Sequence, residues 1–410
     1  MASRTEAVTT TRSRTARAPA GSELRLGHPA VLLGLTCCAL VALGLVMILS
    51  ASSVTSFERY GSSFLYFKKQ LVWAALGLVS FFVFCRVDYR RLKGAGYALY
   101  ALAVMLLVGV LVPGVGVTVG GSSRWLELGP MSFQPSELAK LALVLLAAEV
   151  FSRKQEKTLA LKSHAVVPLI PALGVMVLLV MLQPDLGTTM ILGSVGLGVM
   201  FIAGTPLRYV VPAGLIGAAG AVAAALSADY RRARVLAFLD PWADPLRTGY
   251  HTIQSLLAMG SGGWFGVGLG ASRQKWAYIP NAHTDFIFAI LGEEMGLLGT
   301  LVVLGMFAFL CFLGIRTARR APDRFGMLIA AGVTMWVALQ AVINIGAVTA
   351  SMPVTGVPLP LVSFGGSSLL ITLSAMGIVV NIAYLGERKE ARRRALRERA
   401  PQAPSRARVR

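Results

Sequence analysis

Charge is scarce in this sequence. Only 14% of its 410 residues are Asp, Glu, Lys or Arg, and histidine occurs four times. A disordered chain needs low hydrophobicity and an ordinary water-soluble domain needs more polar surface, so neither class fits. Cysteine is equally sparse. Cys37, Cys38, Cys85 and Cys311 lie in apolar runs without the spacing of a zinc site or a disulfide framework, and they read as small buried apolar residues. No Walker motif or dinucleotide fingerprint is present, and the Gly-x-Gly spacing of Gly266, Gly268 and Gly270 follows no strand signal. Acids are scarcer than bases, 19 against 39, for a net charge of +20. A nucleic-acid partner would require that charge on a compact soluble surface. Here long uncharged runs separate the charges, which argues against nucleic acid.

What is abundant is hydrophobicity, at 55% of residues with a mean hydropathy of +0.68. A helix of about 20 apolar residues crosses a bilayer core of about 30 Å. Ten runs of this kind occur, at 30–51, 70–85, 95–112, 138–151, 165–182, 187–203, 207–226, 286–315, 326–348 and 367–385. The expected fold is therefore all-α and polytopic, with ten transmembrane helices. Residues 1–28, rich in Ser, Thr and Arg, read as a disordered basic tail. The run after them is too long for a cleavable signal, so Ser50-Ala51-Ser52 reads as the start of a loop. With the N-terminus in the cytoplasm, 28 of the 39 basic residues fall inside, which predicts both termini inside. The tails 1–28 and 387–410 can then contact anionic membrane lipids. Residues 29–386 form the membrane domain.

One outer loop is long, 227–285 between the seventh and eighth spans. A loop of that length in a compact protein is functional or disordered, and its Trp242, Trp264 and Trp276 argue against disorder. The apolar piece 253–259 is too short to span and suggests a re-entrant or interfacial helix. Its glycines provide turns and close backbone approaches.

Ionisable groups at membrane depth are costly and face a partner or a cavity. Glu137 and Lys140 stand three residues apart on one helical face, able to pair. The pair serves either to bring both charges into the membrane or to line a cavity, and the two are compatible. If the eighth helix begins near Asp285, Glu293 lies about 80° around it and Glu294 about 180° away. Asp285 and Glu293 would then share a cavity while Glu294 faces another helix; alternatively Asp285 is an N-cap. Asp185, after Gln183-Pro184, is a cavity residue or a turn and cap residue. The turn 363–368 offers either an anion site at a helix N-terminus or a plain capped turn. From residues alone, this is a transporter or membrane enzyme acting on an amphipathic or anionic substrate.

The motifs go further. Arg124-Trp125 with Leu128-Gly129-Pro130, Phe133-Gln134-Pro135-Ser136-Glu137-Leu138-Ala139-Lys140, Gln183-Pro184-Asp185-Leu186-Gly187-Thr188, Pro280 with His283-Thr284-Asp285-Phe286-Ile287-Phe288-Ala289, Gly292-Glu293-Glu294 with Gly296, and 353–368 occur in one order. Together they resemble the SEDS family of bacterial cell-wall polymerases over residues 29–386. Gly268-Leu269-Gly270, Ser272-Arg273-Gln274-Lys275-Trp276, Ala289-Ile290-Leu291 and Ile343-Asn344-Ile345-Gly346 resemble its division branch, FtsW, more than its elongation branch, RodA. Asn281 departs from the Glu that many relatives carry there.

The resemblance implies a peptidoglycan glycosyltransferase that polymerises lipid II in the bacterial plasma membrane at the division septum. It implies Asp285 as the general base, with inversion at the donor MurNAc C1 and release of undecaprenyl pyrophosphate. Arg124, Lys140, Arg273 and Lys275 would meet the pyrophosphate, Glu137 would orient Lys140, and Gln134, Ser136, Asp185, His283, Thr284, Glu293 and Ser367 would support the site. No protein metal-binding motif or required cofactor is visible, and a divalent cation, Mg or Mn, bridging the pyrophosphate is compatible with the motifs. The implied partners are a class B penicillin-binding transpeptidase of the FtsI type and the FtsQ, FtsL and FtsB assembly. The competing readings are a lipid II flippase and a non-catalytic scaffold of the division machinery.

Overall fold

The structure is a computed structural model that describes residues 28–119, 122–129, 131–153, 166–276 and 282–399. The tail 1–27, residues 400–410, the basic segment 154–165 and Pro280-Asn281 lie outside the described residues. Each of the ten apolar runs falls on a helix: α1 (Pro29–Tyr60), α2 (Leu65–Arg86), α3 (Ala95–Leu111), α4 (Pro135–Arg153), α5 (Val166–Leu182), α6 (Leu186–Ile202), α7 (Leu207–Leu226), α10 (Ile287–Arg320), α11 (Arg324–Val348) and α12 (Gly366–Arg399). The outer loop 227–285 contributes α8 (Asp229–Leu239) and α9 (Tyr250–Ser261). The short helix expected at 253–259 is α9. Six helices, α1, α2, α7, α10, α11 and α12, are long and apolar enough to cross a membrane by length and composition.

α1 corrects the expected loop at Ser50-Ala51-Ser52. The helix continues to Tyr60 and stops at Gly61, whose left-handed backbone (φ 69°) returns its N–H to the Phe57 carbonyl. The cysteine expectation holds for Cys37, whereas Cys38, Cys85 and Cys311 are half-buried. α12 runs through Arg399, so the first part of 387–410 continues a helix.

α4 is the hub. Residues 135–151 are all buried, and α3, α5, α6, α11 and α12 pack around it. Walls of protein on every side are what allow Glu137, Lys140 and Glu149 to sit within it. Near its far end the Glu149 carboxylate accepts the main-chain N–H groups of Gly94 and Gly96 (2.8 and 3.2 Å) and so satisfies the start of α3. α7 is the opposite case, with no buried residue.

The all-α expectation needs one correction. Residues before α4 form a small antiparallel sheet of β1 (Gly116–Val119), β2 (Ser122–Leu128) and β3 (Met131–Phe133), in the order β1-β2-β3. Gly129, at φ 65°, turns the chain between β2 and β3. β3 delivers the chain to Pro135, which opens α4 at a position where a missing N–H costs nothing.

α10 is also not the single rod expected for 286–315. Gly296 has φ 67° and ψ −167°, a backbone open essentially to glycine alone, and splits the helix. The 24 residues after the break reach about 36 Å, enough to cross a bilayer without the first half. The backbone of 262–268 enters the gap. Leu297 and Leu298 donate to the carbonyls of Gly263 and Trp264, while Val267 and Gly268 donate to those of Glu293 and Glu294. The polar groups freed by the break are thereby paired.

Candidate active site

Asp285 does not cap a helix. It stands in the turn before α10, whose first residue is Ile287, and the capping position is Phe286. The carboxyl faces a cavity of about 370 Å³ lined by Arg234 and Ala237 of α8, Arg247 and Thr248 before α9, His251 of α9, Phe286 and Val354. Burial raises the Asp285 carboxyl above the ordinary carboxylate value; a hydrogen bond with Thr284 and the charges of Arg234 and Arg124 oppose that rise, and Asp185 adds to it. Across from it, Gly356 (φ 74°) has no side chain, and a Cβ there would lie 3.5 Å from Asp285 Oδ2.

Two side chains fix backbone here, Asn344 at Asp285 itself and Arg124 at the turn that carries Asp185. Asn344 of α11 donates its amide to the carbonyls of Asp285 and Val357 (2.7 and 2.8 Å). Arg124 of β2 donates Nε to the Gln183 carbonyl at 2.9 Å and Nη2 to that of Pro184, and Nη1 lies 3.9 Å from Asp185 Oδ2. Asp185 also caps α6, accepting from the main chain and hydroxyl of Thr188 (3.1 and 2.9 Å). Of its two readings, turn and cap is the one the geometry displays.

Glu137 and Lys140 pair as their spacing predicts, Oε1 to Nζ at 2.9 Å. Lys140 is 1% exposed and also donates to Gln340 Oε1 at 2.9 Å, with its ammonium 5.0 Å from the centre of the Trp336 ring. Gln340 in turn accepts from Trp336 Nε1 and donates to the Pro358 carbonyl. The ammonium thus joins α4 to α11 and to the loop before α12. Among the described residues, Ser136 Oγ and Glu137 Oε2 are buried without a hydrogen-bond partner.

Glu293 does not share the Asp285 cavity. Its carboxylate accepts from the Ser272 hydroxyl and from the main-chain N–H groups of Arg273 (2.9 Å) and Gln274 (3.4 Å), pinning the loop that carries Arg273 and Lys275. Glu294 does face another helix, taking the Ser50 hydroxyl of α1. Lys275 is 7% exposed; its ammonium donates to the Gly270 carbonyl and lies 4.0 Å from Glu294. Arg273 is exposed.

His283 is a buried ring between Tyr66 and Phe364, with centroids 4.7 and 5.5 Å away. Burial, aided by Arg59, lowers its pKa to about 4, so it is neutral near pH 7. Ser367 Oγ accepts the Gln134 main-chain N–H at 3.1 Å, and Gln70 Oε1 accepts from Gly365. A Cβ on Gly366 would strike the Trp73 ring. Protein groups thus engage the Gly365 N–H and the Ser367 hydroxyl of the turn 363–368. Among the described residues, no group of three or more His, Cys, Asp or Glu side chains could hold a metal ion.

Four residues around Asp285 were absent from the sequence-derived site: Arg234, Arg247, His251 and Asn344. The two arginines and the histidine belong to the long outer loop, whose length alone pointed to function. Asn344 had entered only as part of a resemblance.

The chain matches the FtsW/RodA/SpoVE family of cell cycle proteins over residues 31–388. It is 42% identical over 358 residues to stage V sporulation protein E of Bacillus subtilis, covering 87% of this chain and 97% of that protein. It is 39% identical over 345 residues to a probable peptidoglycan glycosyltransferase FtsW of Geobacter metallireducens, covering 84% and 92%. Its fold is similar, with a TM-score of 0.69 and 32% identity over 86% of this chain and 96% of the other, to a chain solved in a study of how a peptidoglycan synthase complex coordinates polymerization and crosslinking.

Proposed function

The chain belongs to the FtsW/RodA/SpoVE family of cell cycle proteins, and we propose that it is a multi-pass inner-membrane peptidoglycan glycosyltransferase whose reaction centre is the cavity at Asp285. One observation carries this reading. A carboxyl raised by burial stands at the wall of a cavity that Arg234, Arg247 and His251 also line, in the loops that the basic-residue distribution assigns to the outer side. That is where the sugars of a lipid-linked donor would lie.

The chemistry follows from a weak nucleophile. The Asp285 carboxylate takes the proton of the acceptor sugar's 4-hydroxyl as the oxygen attacks C1 of the donor MurNAc from the side opposite its diphosphate. The new C–O bond forms, the C1–O bond to the diphosphate breaks, and undecaprenyl pyrophosphate departs with that electron pair. Inversion converts the donor's α linkage to a β-1,4 link. A raised pKa makes the carboxylate a better base, while Asn344 holds the backbone that aims it and Arg124 holds the neighbouring turn at Gln183 and Pro184. Glu137 and Lys140 lock α4 to α11 behind the site.

The finer architecture belongs to the same proposal: ten crossings with both termini in the cytoplasm, residues 29–386 as the membrane domain, basic tails meeting anionic lipid, and action at the septum. The partner would be a class B penicillin-binding transpeptidase, consistent with the synthase complex that resembles this fold, joined by the FtsQ, FtsL and FtsB assembly. Broken helices also serve transporters. Here the gap at Gly296 is filled by the protein's own backbone, which argues against a substrate path through it. The test supplies the purified protein with its transpeptidase partner in liposomes containing lipid II. Glycan chains are expected, and lipid II translocation without polymer would overturn the reading.

A further inference from the structure

The basic residues singled out by sequence are mostly engaged within the protein. The Lys140 ammonium is 1% exposed against Glu137, Gln340 and Trp336; Lys275 is turned to Gly270 and Glu294; Arg124 holds two carbonyls and Asp185. The cavity wall holds other cations. Arg234, whose charge acts on Asp285 and His251, comes from α8 and Arg247 from the segment before α9, and both are exposed residues lining the cavity.

We propose that Arg234 and Arg247 bind the diphosphate of the lipid-linked sugar beside Asp285, with His251 contributing a hydrogen-bonding edge. The assignment rests on the reading of this cavity as the transfer site and names the half of it that holds the leaving group. Two guanidinium groups from separate elements suit a diphosphate, because each presents a planar fork matching two phosphate oxygens. Developing negative charge on the departing oxygen would meet them at the moment of bond cleavage. The volume, about 370 Å³, is near the lower end for ligand sites, which fits a diphosphate with its adjoining sugar and not a whole peptide-bearing disaccharide.

His251 fits the same purpose. Burial, and then the charge of Arg234, hold its pKa below the ordinary histidine value, so near neutral pH it adds a hydrogen-bonding group and no third positive charge. Its ring lies against Phe286 with an interplanar angle of 14° and centroids 5.8 Å apart, and its buried Nδ1 has no hydrogen-bond partner among the described residues. The residue itself lines the cavity together with the two arginines. The charges acting on Asp285 are those of Arg234, Asp185 and Arg124, and Arg247 and His251 line the same cavity.

The experiment is titration of the full-length protein in nanodiscs with farnesyl diphosphate, farnesyl monophosphate and inorganic pyrophosphate. Farnesyl diphosphate is expected to bind at least 10-fold tighter than the monophosphate and tighter than inorganic pyrophosphate. Arg234→Gln and Arg247→Gln should each weaken it by about 10-fold or more, the size of a lost charge-assisted hydrogen bond. They should also collapse the preference for diphosphate over monophosphate, which a general loosening of the fold would not do. Arg234→Lys and Arg247→Lys keep the charge and should fall between wild type and the Gln variants. Asp285→Asn should tighten binding a few-fold by removing a like charge. Gln variants that retain wild-type affinity and selectivity would overturn the inference, as would inorganic pyrophosphate binding as tightly as the farnesyl compound. Those failures leave Asp285-dependent polymerisation standing, whereas wild-type polymerisation by Asp285→Asn would remove the function assigned to Asp285 and leave the diphosphate result intact.

Discussion

The side-chain amide of Asn344 donates to the main-chain carbonyl of Asp285 at 2.7 Å and to that of Val357 at 2.8 Å. One nitrogen on α11 therefore sets the position of the proposed base against the loop that carries Gly356. Asn344→Asp preserves the shape and places an acceptor opposite two carbonyl oxygens. We expect a fall in polymerisation rate of at least 10-fold, with the KM for lipid II changing by less than about 3-fold, because a displaced base loses transition-state contacts before it loses binding. Steady-state polymerisation kinetics on the two proteins check this.

The break in α10 makes a separate demand on one atom. A Cβ at Gly296 would lie 2.3 Å from the Gly266 nitrogen, on a backbone that side chains do not adopt. Gly305, farther along the same helix, has nothing within 4 Å of an added Cβ. Gly296→Ala should lower the melting temperature sharply or prevent recovery of folded protein in detergent, whereas Gly305→Ala should melt as wild type. Equal melting of the two variants would refute the backbone packing described.

His283 makes stability depend on pH in a known direction. Its folded value, about 4, lies below the ordinary 6.5, so between those values the unfolded chain binds the extra proton. Stability is present above pH 6.5 and lost as the pH falls toward 4, by on the order of 3 kcal/mol. His283→Phe keeps a ring between Tyr66 and Phe364 and removes the titration. Melting curves from pH 4 to 7 should show a shallower acid loss in the variant.

Much of the fold is legible in the sequence because apolar runs long enough to span have few structural alternatives. Each expected run lies on a helix, though α1 extends into a Ser- and Thr-containing stretch that hydropathy ends at residue 51 and Gly61 ends at Tyr60. The sheet at 116–133 escaped because its strands are only three to seven residues long. Glu137 and Lys140 could be paired from spacing, since three helical residues suffice. The bond from Lys140 to Gln340 could not, since it joins two helices at positions 200 residues apart in the chain. Asp285 and Glu293 were separated by a helix that starts two residues later than expected and by a loop that returns to occupy Glu293. Arg234 and Arg247 carry no motif spacing relative to Asp285, and only the folding of 227–285 over the turn brings them to one cavity.

The most direct test of the account is the rate of glycan polymerisation from lipid II by Asp285→Asn, reconstituted with its transpeptidase partner beside wild type. Asparagine matches the carboxyl in size and cannot accept the acceptor's proton. A loss of about 100-fold or more, with unchanged melting temperature, is the predicted result, in line with removal of a general base. Polymerisation within about 3-fold of wild type would contradict it.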